Sequence, residues 1–366
     1  RKKREEKRRE EKRREEVAND WQPLFNRLNM SKQRLLLGFS GGIDSRAAVG
    51  RLQAEGYEVV ALTIDTIGDE QMLHQAREAA ETLGIEWLSY NAREEFKREI
   101  IDYFISEYLM GRTPAPCTRC NTHIKWRVLT EVADSLHIEH IATGHYFNVV
   151  QQDSHYYVAK GADTDKDQSY YLWGLPQQTL QRIVTPMGNA IKSVIKADIA
   201  DKRESMGICF LKGCSYGEFL RHHTSSINAG DIVNRDGKTV GRHDGIALYT
   251  IGQKRGTGIP EGMCVTNIDS TANRLIVGKN DDLYKSKLYI NECVIVNEEE
   301  LLTANNITIK IRGIGRNPSL PVSIQKHKNG YLITSPEKVW APAQGQPLVF
   351  YRNNLVLGGG IVVDFE

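Results

Sequence analysis

The stretch Gly38-Phe39-Ser40-Gly41-Gly42-Ile43-Asp44-Ser45 constrains this chain more than any other. It follows the apolar run Leu35-Leu36-Leu37 and precedes a helical pattern with Ala48, Val49 and Leu52 on one face. A short apolar run, a Gly/Ser turn and an amphipathic start read as strand, loop and helix. The glycines let the backbone fold tightly with its amide hydrogens turned inward. The helix start adds a partial positive charge to the same pocket. Such a pocket suits a polyphosphate, with a plain Gly-rich turn as the alternative. No Gly-Lys-Ser/Thr follows, so it is not a Walker loop, and it is not a G-x-G-x-x-G dinucleotide fingerprint.

From Gln33 onward, strands and helices alternate. Strands are expected at 33–39, 58–64, 85–89 and 139–143, with helices at 45–55, 70–83, 92–110 and 122–137. Gly56 and Gly84 stand where two helices should stop. This rhythm predicts an α/β unit with a parallel sheet covered on both faces and its ligand at the carboxyl ends of the strands. After about residue 206 glycine becomes frequent, and turn signals such as Arg235-Asp236-Gly237-Lys238 separate short β-rich runs. Short alternating strands then dominate at 288–296, 306–312, 321–325, 330–335, 347–351 and 355–364, as in a small β-barrel or sandwich. The expected division is a charged extension at 1–29, an α/β unit at 30–206, a small central domain at 207–282 and a C-terminal β-barrel at 283–366. A length of 366 residues is ample for this.

The formal net charge of +2 hides an asymmetry. Residues 1–16 repeat a Glu-Glu-Lys-Arg-Arg unit and hold ten Lys/Arg against six Glu, which leaves the rest of the chain slightly acidic. That segment reads as a solvated helical extension or as a basic arm for RNA. Met30-Ser31-Lys32 reads as a natural start, with 1–29 as upstream sequence. The body is not a generic polyanion binder; nucleic acid would have to meet a local basic groove. No apolar run approaches bilayer-crossing length and no secretory leader is evident, so no membrane association and a cytoplasmic location are expected. Six cysteines in this length do not make a disulfide scaffold.

Gly111-Arg112-Thr113-Pro114-Ala115-Pro116-Cys117-Thr118-Arg119-Cys120-Asn121 puts a cysteine pair at the entrance to a helix containing Ile124, Trp126 and Leu129. The helix dipole, Arg119 and Lys125 would favour a thiolate there, which is a nucleophile's setting. Half a zinc site or two buried thiols fit the same spacing. A third cysteine stands in Gly207-Ile208-Cys209-Phe210, where a core role is the alternative; Cys214, Cys264 and Cys293 read as packing residues. Ala142-Thr143-Gly144-His145-Tyr146 is another strand end whose glycine lets a ligand approach the backbone, with His145 taken alone reading as a hydrogen-bonded structural histidine. Lys166-Asp167-Gln168-Ser169-Tyr170-Tyr171 offers a cation for phosphate and an amide with aromatics for a nucleobase, or it is a solvated polar loop.

Taken together, these residues resemble the tRNA-specific 2-thiouridylase family, within the superfamily of enzymes that split ATP into AMP and pyrophosphate through an SGGxDS (PP-loop) motif. The similarity runs from about Ser31 to the end through GFSGGIDS, GRTPAPCTRCN, ATGHY, KDQSYYL, GICF, GQKRGTGI and LGGGIV, in register. The resemblance implies an adenylating PP-loop domain, a small central domain and a C-terminal β-barrel. It also implies ATP, Mg2+, a persulfide sulfur donor or relay protein, and tRNA carrying a wobble uridine.

By that resemblance Gly38, Phe39, Ser40, Gly41, Gly42, Ile43, Asp44 and Ser45 would hold ATP, with Ile64 and Gly144 beside the nucleotide. Ala115, Pro116 and Cys117 would border the target base, while Lys166, Asp167, Gln168 and Arg312 would touch the tRNA. Cys120 would be the nucleophile and Cys209 the persulfide carrier, the two forming a disulfide as sulfur is released. The chain departs from the family pattern at several points. Arg46 replaces a second Ser and suits either helix packing or a phosphate contact. Cys117 stands where Asp is common, so Cys117, Cys120 and Cys209 could alternatively hold a [4Fe-4S] cluster with one open iron. The stretch 188–205 is short, and Gly313 follows Arg312 where an aromatic is expected. Two other function classes compete: an adenylating synthetase that delivers ammonia to a small molecule, and a non-catalytic RNA-binding paralogue.

Overall fold

The computed structural model describes residues 32–198, 207–313 and 315–366. The charged segment at 1–29 and the end of the short 188–205 stretch lie outside the described residues.

The first strand, β1 (Arg34–Gly38), carries three fully buried leucines. Leu35 and Leu37 pack on one face with Val49, Leu52 and Ala76, while Leu36 packs on the other with Trp126 and Leu129. Burial on both faces explains an unbroken apolar run where a half-exposed strand would alternate. Next come α1 (Ile43–Ala54), β2 (Glu58–Asp65), α2 (Glu70–Leu83) and β3 (Glu86–Asn91). Gly84 ends α2 in the left-handed conformation, φ 65°, where a side chain would be strained. The helix expected at 92–110 is α3 (Arg93–Phe96), a π-helical turn (Lys97–Asp102) and α4 (Tyr103–Leu109). The helix expected from 122 begins earlier, as α5 (Pro116–Cys120), a second π-helical turn (Asn121–Lys125) and α6 (Trp126–Ser135).

β4 (His140–Thr143) returns to the sheet beside β1, and β7 (Ile183–Val184) extends it; the order β3-β2-β1-β4-β7 is parallel throughout. Chain direction across the sheet reverses between β1 and β4, which creates a crevice at their carboxyl ends. Gly38 pairs in register with Thr143 at that crevice.

Between β4 and β7 the chain forms a hairpin that the sequence reading did not anticipate, β5 (Phe147–Gln152) and β6 (His155–Lys160). The short α7 (Gln177–Leu180) follows the hairpin, and α8 (Lys192–Asp198) follows β7. After α9 (Tyr216–His223), capped by Ser215 and Glu218, a central four-stranded sheet holds β8 (Gly230–Val233), β9 (Thr239–His243), β10 (Cys264–Asp269) and β11 (Arg274–Gly278) in the order β10-β11-β8-β9.

The C-terminal barrel comprises β12 (Tyr284–Ile295), α10 (Glu298–Thr303), β13 (Ile307–Lys310), β14 (Ser323–His327), β15 (Gly330–Trp340), β16 (Pro347–Arg352) and β17 (Leu355–Phe365). Its order is β13-β16-β17-β12-β15-β14, and β6 pairs antiparallel with β17 through Ala159 and Leu355. A hairpin from the first unit thus joins the sheet of the last.

Candidate active site

The loop after β1 closes on itself through short local bonds. Ser45 Oγ donates to the Gly42 carbonyl at 2.9 Å, and the Gly42 N–H donates to Ser40 Oγ at 3.3 Å. Gly41 has φ +72°, and a Cβ there would lie 2.8 Å from Ala76 Cα, so only glycine fits against α2. Gly42 caps α1 without a side-chain bond, which leaves the amide-rich helix start open to an anion. Arg46 Nε donates to the Gly41 carbonyl at 2.6 Å, folding a guanidinium along the loop. Gly144, just past β4, would carry a Cβ 3.0 Å from Asp44 C and Ser45 N. Its missing side chain is what lets the end of β4 meet the start of α1.

Sequence reasoning missed Lys192, which no motif announces. Its Nζ sits 2.6 Å from Asp44 Oδ2, and the Tyr146 hydroxyl donates to Asp44 Oδ1 at 2.7 Å. The loop carboxylate therefore faces a lysine brought from the start of α8. Ile64, half-buried near the end of β2, packs on the side facing Phe96 and Ile100.

The sulfur side lies on α5. Cys120 is 6% exposed, and Cys117 is the more exposed of the pair. The expected thiolate-favouring helix start is corrected here. Burial pushes the Cys120 thiol up to about 11 and also raises Cys117; Lys125 opposes both shifts, and Cys209 adds to both. Desolvation outweighs the dipole of a five-residue turn. Arg119 does not help, because it donates to the Glu99 carbonyl at 2.8 Å and to Glu99 Oε2 at 3.0 Å and lies over the Tyr103 ring. Ala115 and the buried Pro116 lead into the same turn, with the Thr118 hydroxyl bonded to the Ala115 carbonyl at 2.7 Å.

Cys209 reaches this region because its neighbour Phe210 is buried in one cluster with Phe96, Phe104 and Cys120. Its ionisation is felt by both other thiols. All six cysteines are free thiols. Cys264 is buried and Cys293 half-buried, but Cys214 is exposed, so it is not the packing residue expected. Among the described residues, no group of three or more His, Cys, Asp or Glu side chains could hold a metal ion. Cys117, Cys120 and Cys209 as arranged thus do not fit a cluster site.

Lys125 links the two halves. The same ammonium that opposes the rise at both cysteines depresses His145, next to Gly144, with burial the larger cause of a value of about 3. His145 Nδ1 meets Thr143 Oγ1 at 2.7 Å. The charge of Lys125 is thus felt both at the thiols and beside Gly144.

The polar stretch 166–171 is not a solvated loop. The Asp167 carboxylate accepts from the Gly161 N–H at 3.1 Å, the Ser169 N–H at 3.1 Å, the Ser169 hydroxyl at 2.9 Å and Lys310 Nζ at 3.3 Å. Gln168 Oε1 accepts from the Tyr146 N–H at 2.9 Å. Both side chains turn inward: Gln168 ties the loop to the segment after β4 and Asp167 ties it to the barrel, where the Tyr170 hydroxyl also donates to the Pro347 carbonyl at 3.0 Å. Lys166 remains outward and exposed. Arg312 is committed as well: it donates to the carbonyls of Trp340 at 3.1 Å and Ala341 at 2.6 Å and stacks over the Trp340 ring. At Gly313 a Cβ would lie 2.3 Å from the Tyr171 hydroxyl oxygen and 3.1 Å from Tyr170 Cδ1. The tyrosine ring occupies the room that an aromatic at 313 would need.

Comparison with known proteins covers nearly the whole chain. Residues 33–213 match a family described as the tRNA methyl transferase HUP domain, 217–279 the tRNA methyl transferase PRC-barrel domain, and 285–362 an aminomethyltransferase beta-barrel domain. The tRNA-specific 2-thiouridylase MnmA 2 of Phocaeicola vulgatus is 39% identical over 348 residues, covering 91% of this chain and 99% of that protein. MnmA 1 of Bacteroides fragilis is 38% identical over 355 residues, covering 90% and 97%. MnmA of Cytophaga hutchinsonii is 36% identical over 362 residues, covering 90% and 98%.

Proposed function

The chain belongs to the tRNA-specific 2-thiouridylase family, and from that premise we propose that it replaces the 2-oxygen of a tRNA wobble uridine with sulfur at the cost of ATP. The observation that carries this reading is the convergence of Cys209 with Cys117 and Cys120, in the field of the same lysine that depresses the loop-side histidine. An ammonia-delivering synthetase would have no use for that convergence.

Uracil O2 is a poor leaving group, so it must first be made into an ester of AMP. Gly38 to Ser45 cradle the triphosphate, with Ile64 and Gly144 beside the nucleotide and Arg46 along the loop; Mg2+ enters with ATP as part of the substrate. O2 attacks the α-phosphorus, pyrophosphate leaves, and the N3 proton passes to solvent. Loop amides and cations stabilise the charge that develops. The terminal sulfur of a Cys209 persulfide, loaded by a sulfur-donor or relay protein, bonds to C2 and expels AMP, which carries away the former O2. Cys120 then attacks Cys209 Sγ and breaks the S–S bond, giving 2-thiouridine and a Cys120–Cys209 disulfide. An external thiol reduces that disulfide for the next turnover.

Ala115, Pro116 and Cys117 line the place of the extruded base, and Lys166 meets the RNA backbone. Asp167, Gln168 and Arg312 serve the RNA indirectly, by fixing the surface that carries it. The working division is 30–206 for adenylation, 207–282 between, and 283–366 for the barrel. Among the described residues no helix is long and apolar enough to cross a membrane.

The test is incubation with unmodified tRNA, ATP, Mg2+ and a sulfur source, followed by mass analysis of the nucleosides. The expected product is 2-thiouridine under aerobic conditions with a thiol reductant. Product that appears only after anaerobic iron reconstitution would transfer the chemistry to a cluster. No product under either condition would remove the reading.

A further inference from the structure

The turn Gly111-Arg112-Thr113 lies between α4 and the sulfur-bearing α5, and all three parts of the molecule meet on it. A Cβ at Gly111, φ +71°, would lie 2.5 Å from Cγ2 of Ile268 on β10 of the central sheet. On the barrel side, the Thr113 N–H donates to the Gln344 carbonyl at 2.7 Å. A Cβ at Gly345 would lie 3.1 Å from both Arg112 Cβ and Glu107 Oε2. Gly345 is itself anchored to β17, its N–H donating to the Val362 carbonyl at 2.8 Å. Beneath the turn, Glu107 of α4 is a carboxylate only 6% exposed. The Arg112 N–H donates to the Glu107 backbone carbonyl at 2.9 Å, and Arg112 Nη1 donates to Glu107 Oε1 at 3.2 Å. A buried ion pair is a weak source of stability, so its contribution here is a fixed geometry. A cavity of 160 Å3 bordered by Tyr103, Glu107, Arg112 and Glu292 leaves the turn room to shift once that geometry is released. The link onward is short and stiff: only Pro114, Ala115 and Pro116 separate Thr113 from Cys117, and both prolines are buried. Tyr103 forms a second strut, since the guanidinium of Arg119, next to Cys120, lies 4.5 Å over its ring.

We propose that Glu107 and Arg112 are positioning residues for sulfur transfer: by locking the 111–113 turn against the barrel, they set where α5 presents Cys120 to Cys209. A shift of the barrel against the α/β unit reaches the thiols through that lock. Neither residue touches the reacting sulfurs, and no bond forms or breaks at the lock itself. The proposal rests on the thiolation reading given above and assigns the seam between barrel and α/β unit a part in it.

The test uses the full chain and three readouts. The first is the rate at which excess diamide joins Cys120 to Cys209 in the substrate-free protein, quantified by peptide mass mapping. The others are 2-thiouridine formed on a tRNA transcript and KM for ATP in pyrophosphate release. Glu107→Leu combined with Arg112→Met removes both charges together, so no unpaired ion is left in the interior. In that variant the Cys120–Cys209 disulfide should form at least about fivefold more slowly, and kcat for thiolation should fall by about 10- to 100-fold. KM for ATP should stay within about threefold of wild type, because the phosphate loop is untouched. Gly345→Ala presses a methyl on the same lock from the barrel side and should move the readouts in the same direction. A merely structural pair gives another pattern: all three readouts worsen in step with a falling melting temperature. That pattern, or a disulfide rate lowered by less than about fivefold, overturns the proposal. If the double variant does not fold, Gly345→Ala decides by the same threshold. A wild type that makes no 2-thiouridine sinks the functional reading itself; a working wild type whose variants join the two thiols as fast as it does sinks this proposal alone.

Discussion

Cys120 should be a slow thiol until substrate arrives, and the structure says by how much. Its thiol is pushed up to about 11 by burial, against an ordinary value of 9.0. Two units remove about 100-fold of the thiolate present at pH 8. A more basic thiolate is the better nucleophile, and a Brønsted slope of about 0.4–0.5 restores somewhat less than tenfold. Ionisation alone therefore slows the folded residue by about tenfold or a little more relative to Cys120 in the urea-unfolded chain. Shielding of a side chain only 6% exposed slows it further. The assay is a small aromatic disulfide reagent used at several pH values, with the Cys120 peptide quantified by mass spectrometry. The sign follows from the raised value: the folded-state rate should climb through pH 9 and level off only near 11. A plateau at or below pH 9, or a folded rate equal to the unfolded one at pH 8, would refute the reasoning. If it holds, Cys120 gains its thiolate only when tRNA and adenylate reorganise the pocket, which guards the thiol from idle oxidation.

Three further outcomes follow from close contacts. Gly144→Ala places a methyl 3.0 Å from backbone atoms of Asp44 and Ser45; the overpacking costs about 1–3 kcal/mol, and KM for ATP in pyrophosphate release should rise while the protein stays folded. Asp167→Ala removes an acceptor of four hydrogen bonds and strands Lys310; a loss of about 3–5 kcal/mol in urea unfolding is expected, and a loss under about 1 kcal/mol would show the clamp to be idle. Gly313→Tyr should depress thiolation because its Cβ would fall 2.3 Å from the Tyr171 hydroxyl, and adding Tyr171→Ala should restore much of the loss; additive defects would count against a shared space.

The α/β unit was legible because its signals are local. Leu35 to Leu37 announce a strand buried on both faces, and Gly84 marks a helix end to the residue. The hairpin of β5 and β6 was not read, because half-polar strands such as Phe147–Gln152 declare themselves only when the edge they pair with is known. The cysteines were found, but their chemistry was inverted: a helix start predicts a low thiol, and only the packing of Phe96, Phe104 and Phe210 around Cys120 shows that desolvation wins. Lys192 was invisible for a related reason, since a lysine acquires meaning from the carboxylate it meets across the fold. Asp167 lay in a motif that pointed to RNA and Arg312 was implied by the resemblance, yet their side chains are consumed by internal partners.

The pairing of Ala159 with Leu355 ties a hairpin from beside the nucleotide crevice into the distal sheet. Strand spacing, rather than a tether, then sets the interval between the two ends of the molecule. Loss of that pairing would free the barrel to shift against the crevice.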